Sequence, residues 1–114
     1  MLQYILGSLD KDKANNIFNI DLKEKSSITD VIVIADGNSS RHISSMAQKL
    51  LELFKKNKIK LISSEGLTNS DWILLDIGDI IVHLFKTETR EYYNLEKMWV
   101  DKGNAETVII GSEN

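Results

Sequence analysis

Asp71-Trp72-Ile73-Leu74-Leu75-Asp76-Ile77-Gly78-Asp79-Ile80-Ile81-Val82-His83-Leu84-Phe85 reads as a β-hairpin. Two apolar runs flank an Asp-Ile-Gly-Asp turn, and Asp and Gly are ordinary turn residues. Gly78 is expected to supply a positive φ there. On strand alternation His83 shares a face with Ile81 and Phe85, while Ile80, Val82 and Leu84 take the other. Trp72 at one end and His83 near the other make this hairpin a candidate working surface as well as a fold element.

The segments around it supply the rest of a sheet. Upstream, Lys60–Ser64 reads as a strand, with Glu65, Gly66 and Asn69 marking a loop. Before that, Ile43, Met46, Ala47, Leu50, Leu51 and Phe54 fill one stripe of a helix over 39–57, with Ser39 or Ser40 as N-cap. Its last turn carries Lys55, Lys56 and Lys58, which suit the negative end of the helix dipole. The β-branched run Val31-Ile32-Val33-Ile34-Ala35 predicts a central strand covered on both faces. Phe18, Ile20 and Leu22 alternate with polar residues, as in a half-buried strand over 17–22. Leu2, Ile5, Leu6 and Leu9 keep helical spacing, so residues 2–14 read as a short amphipathic helix. Downstream, Glu88–Trp99 reads as a terminal helix. Residues 101–114 hold a short apolar run, Val108–Ile110, and read as a loose tail in preference to an added edge strand. The order predicts an α/β (α+β) chain with a mixed sheet of about five strands flanked by helices. The helix over 39–57 is expected to be a crossover between two strands.

Composition bounds the function. A chain of 114 residues suits one domain; the expected unit is residues 1–100, followed by the tail at 101–114. The formal charge of -3 disfavours nucleic acid as the direct ligand and suits a basic partner protein. Cysteine is absent, which excludes disulfides, thiolate zinc sites and cysteine nucleophiles. No signal peptide and no membrane-spanning run is visible, and a cytoplasmic location is expected. Proline is absent too, so turns fall to Gly, Asn, Asp and Ser.

Each chemical constellation has two readings. Arg41 and His42 open the long helix, where backbone N–H groups offer an anion site; the alternative is a surface pair that follows the cap. His83 is either a base, which needs an orienting partner, or a partly buried imidazole bonded to a carbonyl or an aspartate. Asp76 and Asp79 are either magnesium ligands or turn residues, and a hard cation needs more oxygens than this pair supplies. No phosphate loop, dinucleotide fingerprint, nucleophile elbow or HExxH motif is present. Trp72 beside Asp71 suits an interface, where aromatics are enriched; Trp99 and one of Tyr92 and Tyr93 suit the packing of the terminal helix.

Several segments, in order, resemble the ribosomal silencing factor S (Iojap) family. They are Lys25-Ser26-Ser27-Ile28-Thr29-Asp30, Ser39-Ser40-Arg41-His42, Glu65-Gly66, Asp71 to Asp76, Gly78 to His83, and Arg90-Glu91-Tyr92-Tyr93-Asn94-Leu95-Glu96-Lys97-Met98-Trp99. The likeness covers most of residues 1–99. It implies a nucleotidyltransferase-like fold without transferase activity, and no metal or cofactor. It also implies a repressor of translation that binds the large ribosomal subunit through ribosomal protein fourteen and blocks joining of the small subunit. A homodimer off the ribosome is implied, with no membrane and no sequence-specific nucleic acid as partner. The shared surface would include Asp71, Trp72, Asp76, Asp79, His83 and Arg90, with Arg41 and His42 supporting the hairpin from the helix start. The competing reading is a metal-dependent nucleotidyl or phosphoryl transferase using the Asp76/Asp79 turn.

Overall fold

A computed structural model describes residues 1–22, 29–67 and 71–89, together with the backbone of 106–110. Helix α1 (Leu2–Lys11) leads into strands β1 (Asn15–Asp21) and β2 (Val31–Gly37), then helix α2 (Ser40–Lys56). Strands β3 (Ser63–Glu65), β4 (Trp72–Asp76), β5 (Ile80–Lys86) and β6 (Glu106–Ile110) follow. They form one mixed sheet in the order β3-β4-β5-β2-β1-β6. Only β2 and β5 pair in parallel; every other neighbouring pair is antiparallel.

The five expected strands are all present, and their faces follow from their residues. The run in β2 lies at the centre of the sheet, with Ile32, Val33, Ile34 and Ala35 buried on both faces. Val33 and Ala35 join Ile73, Leu75, Val82 and Leu84 beneath the apolar stripes of the two helices. The opposite face gathers Ile20, Leu22, Ile32, Ile34 and Phe85, with Phe18 and Trp72 packed against them. Helix α2 connects β2 to β3, which runs in the same direction at the far edge, as the crossover reading requires.

Two expectations shift. The third strand begins at Ser63 rather than Lys60, because only Ser63, Ser64 and Glu65 find partners on β4; Ile62 contributes a single N–H to the Asp76 carbonyl and stays 60% exposed. Over 106–110 an edge strand replaces the loose tail, with Ile17 to Asp21 of β1 pairing against Ile110 to Glu106. The alternating β1 offered an open edge, and β6 covers it. The helix expected over 88–99, with Tyr92, Tyr93 and Trp99, lies almost wholly outside the described residues.

The helix ends show how local chemistry sets the boundaries. Ser39 is the N-cap of α2: its hydroxyl accepts the His42 N–H at 3.0 Å. Both helices stop in a Schellman arrangement. Ala14 N–H bonds Leu9 and Lys13 N–H bonds Asp10 after α1; Ile59 bonds Phe54 and Lys58 bonds Lys55 after α2. The left-handed position usually given to glycine is held by Lys13 (φ 61) and Lys58 (φ 58).

Candidate functional site

The hairpin closes as its residues dictate. Ile77 N–H bonds the Ile80 carbonyl at 3.0 Å, leaving Gly78 and Asp79 as a two-residue turn. Gly78 has φ +100, the positive value a II′-type turn demands at its first central position. Asp76 Oδ1 accepts the Gly78 N–H at 2.8 Å, so this carboxylate braces the turn. Asp79 is exposed, and its carbonyl accepts the N–H groups of Asp30 and Val31, both at 3.0 Å. Among the described residues no group of three or more His, Cys, Asp or Glu could hold a metal ion. Among the described residues, then, the Asp76/Asp79 pair gains no third ligand of these types.

At the other end of the strands Trp72 sits opposite Phe85, and Leu74 opposite His83. The Trp72 indole N–H donates to His83 Nδ1 at 3.1 Å. An indole can only donate, so Nδ1 is unprotonated and the imidazole is neutral, with its hydrogen on Nε2. Burial lowers the His83 pKa to about 4, which keeps it neutral near pH 7. It is a hydrogen-bond acceptor that orients the indole. Phe85 backs both rings: its centroid lies 4.9 Å from Trp72, and it stacks on His83 at 6.0 Å with a 10° interplanar angle. Trp72 is therefore a half-buried aromatic whose ring is oriented by His83 and packed on Phe85.

Its surroundings are acidic and part-apolar. Glu65, Gly66 and Leu74 join Trp72 in lining a depression of about 340 Å³. Exposed Asp71 receives the Ser40 hydroxyl at 3.4 Å and the Lys86 ammonium at 3.6 Å on the same oxygen. Trp72, Leu74 and Asp76 share one face by strand alternation, so Trp72 and Asp76 lie roughly 13 Å apart along β4. Asp71, Trp72 and His83 thus cluster at one end of the hairpin, with Asp76 and Asp79 at the other. Arg90 lies outside the described residues.

The expected support from the helix start takes a different form. His42 Nδ1 accepts the Asn38 N–H at 3.1 Å, and Nε2 lies 2.7 Å from the Asp12 carbonyl. With Nδ1 accepting, Nε2–H donates. His42 therefore ties the end of α1 to the β2–α2 junction, away from the hairpin. Gly37 makes room for it, since a Cβ there would come within 2.9 Å of the imidazole. Arg41 is exposed. The bond from the helix start to the hairpin belongs to Ser40, which sequence reading passed over as a cap alternative. Leu74 was also passed over, although its parity with Trp72 is visible in the sequence.

Comparison with known proteins places this geometry in context. The family model described as "Ribosomal silencing factor during starvation" matches residues 1–113. The ribosomal silencing factor of Zymomonas mobilis is 50% identical over 99 residues, covering 87% of this chain and 74% of the relative. The mouse protein named "Mitochondrial assembly of ribosomal large subunit protein 1" is 33% identical over 101 residues, covering 86% of this chain and 44% of its own length. A crystal structure of a Bacillus halodurans protein superimposes with a TM-score of 0.81 at 32% identity, over 96% of each chain.

Proposed function

The chain belongs to the ribosomal silencing factor family, and on that premise we propose that it represses translation by occupying the large ribosomal subunit. It docks through ribosomal protein fourteen and excludes the small subunit by sterics. Repression then needs no bond-making step, and occupancy follows concentration relative to the dissociation constant. The observation that carries this reading is the Trp72 anchor: a half-buried indole held by His83 and Phe85, with acidic groups around it.

Such an anchor meets the physical demands of a docking hot spot. A pre-ordered aromatic loses little conformational freedom on binding and fills a pocket on its partner. Asp71, Glu65 and Asp76 supply a field that attracts a basic ribosomal protein and aligns it along the hairpin. Asp79 extends the acidic edge, Arg90 adds a polar contact, and His83 acts through the orientation it imposes on Trp72. The protein works in the cytoplasm and forms a homodimer away from the ribosome.

Co-sedimentation with purified large and small subunits tests the proposal. Binding is expected to large subunits alone. Trp72→Ala should weaken it by about 2 kcal/mol or more, roughly thirtyfold. A chain that ignores large subunits, or a Trp72→Ala variant of undiminished affinity, sinks the proposed docking mode.

A further inference from the structure

We propose that the groove between α1 and α2 is a second, positively charged docking surface that holds the sugar-phosphate backbone of unpaired RNA. The groove encloses about 440 Å³ and is lined by Tyr4, Gly7, Lys11, Lys49, Leu53 and Lys56, among others. Tyr4 is 63% exposed. Above Gly7 the space is open: nothing lies within 4 Å of where a Cβ would stand.

Among the described residues, lysines outnumber carboxylates on the two helices and the segment after α2. The chain is acidic as a whole, yet exposed Lys55, Lys58 and Lys60 continue the lysines of the groove around the end of α2. Acidic residues on the same elements are few: Glu52 lines the groove, exposed Asp10 lies in the last turn of α1, and Asp12, just after it, holds Lys49 at 2.6 Å. That pairing raises the pKa of Lys49 and offsets part of its charge, while its side chain remains 56% exposed. Net charge, which disfavours nucleic acid for the chain as a whole, does not describe this face.

The groove's chemistry selects the ligand class. Lysines are compact point charges suited to phosphate oxygens, without the planar fork that reads base edges. An accessible tyrosine in a cationic groove offers a stacking platform that any base can use. The two together fit an unpaired RNA segment held without regard to sequence. Lys49 and Lys56 lie on one side of α2 about 10 Å apart, so contacts would run along the groove. The ribosomal role proposed above enters only as the source of such RNA; the RNA contact itself does not depend on Trp72 or the hairpin.

Fluorescence anisotropy of the full chain with a labelled, unstructured RNA dodecamer tests this, with a poly-glutamate peptide as a second probe. The RNA should bind, and the log–log salt dependence should be negative. Lys11→Gln with Lys56→Gln should weaken binding about tenfold and lower the salt slope by roughly 1.4, as expected for two lost single-strand phosphate contacts. Tyr4→Ala should cost about tenfold with the slope unchanged. Absence of RNA binding at low salt, equal binding by the lysine variant, or displacement of the RNA by poly-glutamate at equimolar charge would overturn the proposal. Large-subunit co-sedimentation of the same variants separates the two readings: loss of RNA binding with retained hairpin docking leaves the Trp72 surface intact.

Discussion

On the helix side of the sheet, Val33, Ala35, Ile73, Leu75, Val82 and Leu84 lie under α1 and α2 with no side-chain polar atom among them. On the other side, Phe85 is fully buried but supports Trp72 and His83, whose polar atoms meet in a bond at 3.1 Å. The first arrangement maximises apolar area removed from water. The second fixes the direction of one side chain. The two faces of a single sheet thus differ in kind, one wholly apolar and one holding a bonded pair of polar rings, and the strands alternate between them residue by residue.

Truncation within the helix-side core should have the largest effect. Leu50→Ala leaves a cavity where α2 meets the sheet, and a loss of about 3–5 kcal/mol is expected in chemical denaturation. A loss under about 1 kcal/mol would mean that this face is less tightly sealed than its burial implies.

The aromatic face should reveal itself through pH. His83 has a folded pKa of about 4, against about 6.5 in an unfolded chain. Above pH 6.5 the group is neutral in both states and its contribution is fully present. As pH falls from 6.5 toward 4, the unfolded chain takes up the proton first, so stability declines by about 2–3 kcal/mol. His83→Gln should flatten that part of the stability–pH curve relative to the unaltered chain. Parallel curves would contradict the buried neutral imidazole.

Removing only the bond between the rings is a smaller test. Trp72→Phe keeps an aromatic against Phe85 but leaves His83 Nδ1 without its donor, and a cost of about 1–2 kcal/mol is expected in thermal denaturation. The smallest effect should lie away from both faces and have the opposite sign. Lys58→Gly relieves a left-handed residue at the end of α2 and should stabilise the chain by up to about 1 kcal/mol. Destabilisation would mean that the lysine side chain makes contacts worth more than the strain.

Much of this was readable residue by residue. The continuous β-branched run marked β2 as doubly covered, and the Asp-Ile-Gly-Asp turn marked the hairpin and placed a positive φ at Gly78. The six-position apolar stripe marked α2 and left Ser39 and Ser40 as alternative caps, of which the structure uses Ser39. The candidate site was legible in part. Trp72 and His83 stood out by type and parity, but the bond between them depends on a register that pairs Trp72 with Phe85 and Leu74 with His83. The bond of His42 to the Asp12 carbonyl was not legible, because that carbonyl lies 30 positions away in the chain. Ser40 was overlooked because Asp71 is 31 positions away.

The sequence by itself determined the main periodic elements and the hairpin turn, because each depends on residues within a few positions of one another. It also carried the ordered motif set of the silencing-factor family. Tertiary structure alone decided which edge β6 covers, which nitrogen of each histidine accepts, and which helix residue steadies the hairpin. It alone gathered the lysines of α1 and α2 around one groove while the hairpin kept its acidic rim. Those outcomes depend on atoms brought within about 3 Å by packing of distant segments, and local pattern has no term for that distance.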